Sequence, residues 1–207
     1  MRHSLTAQGY GLRLRPVRLD DAPFIVWLRN LDYVKGRVGD SAVDVAGQER
    51  WLNCYFEREG DYYFIAETLN EIPLGTYGIY DLNETSAEIG RLVIRPEVPA
   101  GAPATLLLID LIYGQMGITQ LRGRVVARNH RARSFFRKLG FNEVKVEHAS
   151  QVIGGHAVDM VLLSLTTEDW FRVRERFITE AQQAETWIRE WAQADLQGGS
   201  QGLVAKV

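Results

Sequence analysis

Glu88 is the residue with the clearest chemical potential. It sits in Glu88-Ile89-Gly90-Arg91-Leu92-Val93-Ile94, a run that reads as a strand. A carboxylate there can take a proton from an incoming ammonium, directly or through a water. The competing reading is an exposed strand carboxylate beside Arg91. Strand alternation puts Glu88 and Gly90 on one face, where the missing side chain at Gly90 leaves room for a substrate. Pro96, Pro99, Gly101 and Pro103 then punctuate a loop, and an apolar helix over about Thr105–Met116 follows. A helix N-terminus preceded by small residues offers backbone N–H donors and a positive dipole end to an anion. Ala100, Gly101, Ala102, Ala104 and Thr105 form that cradle. The backbone of Leu92, Val93 and Ile94 leads into it and can pair with an amide-rich ligand as a peptide adds to a sheet edge. An N–H near Val93 can stabilise an oxyanion.

A second stretch, Arg128 to Phe141, follows a strand over about Leu121–Ala127. It satisfies the pattern Asn-x-x-Ala/Ser-x-x-x-Tyr/Phe-x-Lys-x-Gly-Phe with Asn129, Ala132, Phe136, Lys138, Gly140 and Phe141. On these residues the chain resembles the GNAT N-acetyltransferase family over about Leu12–Thr166. The resemblance implies a mixed, mostly antiparallel central sheet flanked by helices. It implies acetyl-CoA as co-substrate, a primary amine as acceptor, no metal and no covalent enzyme intermediate. In such a protein Glu88 is the general base, and Ala100–Thr105 take the pyrophosphate. Leu92–Ile94 take the pantetheine arm, with Asn129, Ala132 and Phe136 alongside it. Asn129 also suits a helix N-cap.

Two departures from the family pattern bear on mechanism. The family's loop carries Arg or Gln with two glycines, whereas this chain has only Gly101, which leaves the pyrophosphate with backbone donors. Phe136 stands where many members carry a tyrosine acid, and phenylalanine has no proton to give. The CoA thiolate is then protonated by water or another group, or leaves unprotonated, which a thiol pKa near ~8.5 tolerates. The basic run Arg128, His130, Arg131, Arg133, Arg137 and Lys138 can offer one or two cations to the 3′-phosphate of CoA, the rest being solvated.

Trp27-Leu28-Arg29-Asn30, with Asp32, resembles the GNAT subgroup that acetylates nucleotide-linked amino sugars. Arg29 can pair with a substrate diphosphate and Trp27 can stack on a ring, although Trp27 also has core spacing from Phe24 and Leu31. Tyr77 and Tyr80 either line an acceptor cleft or are ordinary strand residues. A nucleotide-linked amino sugar is the first expected acceptor, and a protein N-terminus or small amine the second. From another class, a non-catalytic acyl-CoA-binding or assembly module competes with both.

The order of elements needed to position these groups is β, α, α, β, β, β, α, β, α, β, β, α, an α/β domain. Residues 1–166 form it. Residues 167–194 form an amphipathic helix with Trp170, Val173, Phe177, Ala181, Ala184, Ile188 and Trp191 on one stripe, and 195–207 a disordered tail. That stripe either packs on its own domain or makes a homodimer. Gly36 and Gly39 mark a loop after the first helix. Apolar residues make up 46% of the 207-residue chain and the net charge is −2, ordinary globular values with no footprint for nucleic acid. Lone Cys54 excludes an intrachain disulfide, and the four histidines lack metal-ligand spacing. No apolar run spans a membrane and the N-terminus has no secretory core, so the cytoplasm is the expected compartment.

Overall fold

The structure is a computed structural model that describes residues 2–35, 37–38 and 44–198. Eight strands form one sheet in the order β1-β2-β3-β4-β5-β6-β8-β7. They are β1 (Ala7–Gly9), β2 (Leu12–Pro16), β3 (Tyr62–Thr68), β4 (Pro73–Tyr80), β5 (Ser86–Ile94), β6 (Gln120–Val126), β7 (Asn142–Ile153) and β8 (His156–Thr166). Every neighbouring pair is antiparallel except β5 and β6. The helices are α1 (Ala22–Arg29), α2 (Val45–Phe56), α3 (Gly101–Gln115), α4 (His130–Lys138) and α5 (Thr167–Gly198). The mixed, mostly antiparallel sheet with flanking helices is the architecture expected from sequence.

Alternation along β3 assigns the two faces of the sheet. Phe64 and Ala66 join a core with Leu106, Ile109, Trp170 and Phe177 of α3 and α5. Tyr63 and Ile65 point the other way, onto Ala22, Ile25, Leu52 and Tyr55 of α1 and α2. The α5 stripe therefore closes its own domain. Trp170, Phe177, Ala181 and Ile188 are buried, and Trp170 and Arg174 both bond Asp110 of α3. Of the two readings of the stripe, packing on its own domain is the one seen in the structure.

Several boundaries also differ from expectation. Helix α3 starts at Gly101 rather than near Thr105, because Pro103 fits within a first helical turn. The short strand β1, which folds back onto β2 through Tyr10 and Gly11, carries too little pattern to be seen in sequence. Strand β7 runs on to Ile153, and α5 continues past Ala194 to Gly198. The loop glycines Gly36 and Gly39, and the tail from Gly199, lie outside the described residues.

The feature that positions the site is a split in the sheet. Strand β5 pairs with β6 only from Ser86 to Ile89, against Gln120 to Gly123. Beyond that, β6 stays with β8 while β5 continues to Ile94 along β4. The β4–β5 register jumps from Gly78↔Gly90 to Thr76↔Val93, so Arg91 and Leu92 together oppose Tyr77 as a β-bulge. Arg91 sits at φ 51°, a left-handed conformation unusual for a side chain of its size. Its surroundings hold it there. Its carbonyl accepts from Thr76 Oγ1 at 2.7 Å, and its guanidinium forks onto Asp61 beneath the rings of Trp51, Tyr63 and Tyr80.

Candidate active site

Two clefts open along the far half of β5. The first, of about 490 Å³, lies between Leu92–Ile94 and the wall of α4 formed by Ala132, Phe135 and Phe136, and it ends at Gly101. The second, of about 380 Å³, is lined by Glu88, Gly90, Tyr80, Arg29 and Arg124. They share Arg37, Val38, Leu92, Asn129, Ala132 and Phe136, so they meet across one wall. A third hollow of about 440 Å³ adjoins them, lined by Lys35, Arg37, Arg128, Asn129, His130 and Arg131.

In the first cleft the split leaves the β5 edge from Gly90 to Ile94 without a β6 partner. The Ile94 carbonyl is an exception to this open edge, since the Tyr33 hydroxyl donates to it. At the start of α3 the expected cradle is narrower than predicted. Ala100 N–H is spent on the Val98 carbonyl and Ala104 N–H on the Ala100 carbonyl, and Pro103 has none. Among the described residues, no backbone acceptor takes the N–H of Gly101 or Ala102. Ala104 and Thr105 are fully buried, with the Thr105 hydroxyl 3.1 Å from that of Tyr77, so their side chains belong to the core. Ala100 is likewise buried. Gly101 alone of the five lines the cleft, and a Cβ on it would meet nothing within 4 Å.

Two arginines from elsewhere in the chain border this cleft. Arg37 and Arg131 line the same cleft, from the segment after α1 and from α4. Side-chain cations therefore border this cleft beside the backbone donors expected from sequence. Asn129 caps α4, accepting from Ala132 N–H at 3.2 Å, while its amide group reaches the Arg37 carbonyl at 3.4 Å. Arg133 and Arg137 turn away to Glu143, which leaves Arg128, His130 and Arg131 of the basic run facing the cationic hollow. Phe136 stands in the shared wall, its ring edge-on to Phe141 at 5.0 Å.

In the second cleft Glu88 is half-buried, and its removal from water pushes its carboxyl pKa up. Arg124 and Arg122 oppose that shift, Asp81 adds to it, and a hydrogen bond from the Tyr80 hydroxyl lowers it. Arg91, beside which the competing reading set Glu88, points to Asp61. The space over Gly90 is not vacant. A Cβ there would lie 2.0 Å from the Tyr80 hydroxyl, which fills it.

The predicted acceptor residues divide. Arg29 and Tyr80 line this cleft. Tyr77 does not: it is fully buried, and its hydroxyl lies 3.3 Å from the Gly101 carbonyl. Asn30 folds its amide back onto the Val26 carbonyl at 2.9 Å and closes α1. Trp27 lies on the Arg95 guanidinium at 5.1 Å, and Trp191 of α5 covers Arg95 at 4.7 Å, so its stacking surface is already used. Sequence reasoning missed Tyr33, Arg37, Arg124 and Gln151. They are isolated residues on separate elements, with no spacing pattern to mark them.

The sheet splits next to a β-bulge, and an acid-bearing cleft and an amide-edged cleft meet there, which suits acyl transfer from a long amide-containing donor. The chain belongs to the GNAT acetyltransferase family, whose domain matches residues 11–142. It is thus an acyltransferase, in a family that uses acetyl-CoA, and the reading as a non-catalytic module falls. No curated protein sequence matches this chain. Among solved structures, FdhC, a nucleotide-linked sugar GNAT, is similar at 22% identity and TM-score 0.69, over 85% of this chain and 98% of that one. A GCN5-related N-acetyltransferase from Brucella melitensis matches at 15% identity and TM-score 0.75, over 86% of each chain. Spermidine N-acetyltransferase from Vibrio cholerae, in complex with CoA and spermine, matches at 18% identity and TM-score 0.69, over 79% of this chain and 99% of that one. At these identities the likeness is one of fold. No described helix is long and apolar enough to cross a membrane.

Proposed function

We propose that this protein transfers the acetyl group of acetyl-CoA to the primary amine of a nucleotide-linked amino sugar. The observation that carries the acceptor class is the lining of the second cleft. One half-buried carboxylate, Glu88, faces a space bordered by Arg29, Arg37, Arg91 and Arg124. Asp61 neutralises Arg91, and Glu147 approaches Arg124 at 3.1 Å. The four arginines of the lining outnumber its two carboxylates, Glu88 and Asp81. An amine carried on an anion suits such a cleft, with the amine at Glu88 and the diphosphate toward the arginines. A polyamine with several positive charges does not, although a spermidine enzyme shares the fold.

The first cleft fits acetyl-CoA, which supplies the activated acyl thioester. The unpartnered β5 edge meets the pantetheine amides, and the Gly101 and Ala102 amides with Arg37 and Arg131 meet the pyrophosphate. Lys35, Arg128 and His130 stand where a further phosphate would be held. Glu88 takes the ammonium proton, and its raised pKa makes it a better base than an exposed carboxylate. The amide near Leu92 and Val93 faces the thioester oxygen. Phe136 shapes the wall where acetyl group and amine meet and moves no proton.

The test is release of free thiol from acetyl-CoA with nucleotide-linked amino sugars, spermidine and a peptide N-terminus offered in parallel. The sugars should give the highest kcat/KM, and their KM should rise with salt as the arginines are screened. Turnover confined to spermidine or the peptide would overturn the acceptor assignment.

A further inference from the structure

We propose that Tyr80 is the positioning residue for Glu88, and that Gly90 is glycine so that the Tyr80 hydroxyl can occupy the space above it. The inference rests on the reading of Glu88 as the base. Tyr80 and Glu88 are directly opposed across the β4–β5 ladder, a cross-strand pair on one face. Gly90 is two residues further along β5 on that same face. A Cβ at Gly90 would lie 2.0 Å from the Tyr80 hydroxyl and 2.9 Å from its Cζ. The phenol hydroxyl therefore occupies the space over Gly90, on the face it shares with the Glu88 carboxylate, and as a donor it lowers that carboxyl's pKa.

The other side of the ring is fixed as well. The Arg91 guanidinium lies 4.8 Å from its centroid and is itself locked onto Asp61. The bulge that opens the donor cleft thus also places the cation that clamps Tyr80. Burial pushes the Tyr80 pKa up, so the hydroxyl stays protonated and remains a donor across the working pH range. A permanently neutral donor holds the carboxylate in one rotamer without competing for the substrate's proton. The charged groups facing Glu88 come from several elements: Asp81 after β4, Arg122 and Arg124 on β6, and Arg29 and Arg37 across the cleft. Arg124 leans toward Glu147, and Arg122 donates to the Asp81 carbonyl at 2.7 Å. Tyr80 is the neutral donor among them.

Three variants test this. Tyr80→Phe keeps the ring and removes the donor. The Glu88 carboxylate, followed by carbon-detected NMR titration, should then titrate at higher pH, because the neighbouring donor that favours its charged form is gone. The acid limb of kcat/KM should move the same way, and kcat should fall roughly tenfold, the scale of one charge-assisted hydrogen bond, with KM for acetyl-CoA unchanged. Gly90→Ala should reproduce the loss in the Tyr80 background. It should cost less when Tyr80→Phe is already present, since the 2.0 Å contact is then absent. A Glu88 titration identical in wild type and Tyr80→Phe overturns the proposal, whatever happens to stability. Glu88→Gln with a wild-type rate sinks the base reading instead, while the NMR titration still decides whether Tyr80 holds Glu88.

Discussion

The two clefts on either side of the β5 split are built from different materials. The cleft proposed for the donor is mainly backbone and apolar wall: the open edge at Leu92–Ile94, two amides at the start of α3, and Ala132 with Phe136. The cleft proposed for the acceptor is made of side chains brought from four elements: Arg29 of α1, Tyr80 of β4, Glu88 of β5 and Arg124 of β6. A backbone-built cleft depends on strand geometry and tolerates many side chains. A cleft of convergent side chains changes its ligand with each substitution. One sheet can therefore keep a constant donor while its acceptor varies.

The sharpest way to separate the clefts is Glu88→Gln. Turnover should fall ~10²-fold or more while acetyl-CoA affinity stays near wild type. Stability should move the other way. A carboxyl whose folded pKa is raised helps the fold below its unfolded pKa, and that help is lost as pH rises through the folded value. The variant should therefore gain stability relative to wild type as pH rises toward neutral, seen as a higher Tm. Equal loss of turnover and acetyl-CoA binding would show that the clefts are not separable at Glu88.

Gly101→Asp probes the other side. Open space at this Cβ lets the variant fold, and a carboxylate in the first turn of α3 favours the helix dipole by roughly 0.3–1 kcal/mol. On the proposed binding mode the same charge faces the pyrophosphate. Acetyl-CoA affinity should drop about tenfold by calorimetry, with Tm held or slightly raised. Unchanged affinity would place the cofactor away from α3.

Phe136→Tyr tests the wall the clefts share, and its effect should be the smallest. The ring lines both clefts, so the new hydroxyl should reach them with little change in Tm. It should add an alkaline limb to the rate profile near the reference tyrosine pKa of about 10. A loss of roughly 1–3 kcal/mol with no new limb would mean that the hydroxyl is buried without a partner and that Phe136 is core alone.

Much of this was legible from order along the chain. The strand–loop–helix run from Glu88 to Gln115 and the Asn129–Phe141 pattern are local, so their spacing marked the donor cleft, the family and the cap at Asn129. The stripe on α5 showed a helix with one buried face, though not which surface it covers. The tertiary structure decided the rest. Tyr77 and Tyr80 are the same residue type three positions apart in one strand. A bulge opposite Tyr77 and the opposite pleat send one hydroxyl to Thr105 and the other to Glu88. Likewise Arg37 is unremarkable in sequence and Arg131 is one of a basic run, and only the placement of Arg37 beside the start of α4 brings both to the cleft that lacks a loop arginine. Periodicity records which face of an element is apolar. It carries no term for which distant charge arrives at a cleft, because that is fixed by the packing of elements that are far apart in the chain.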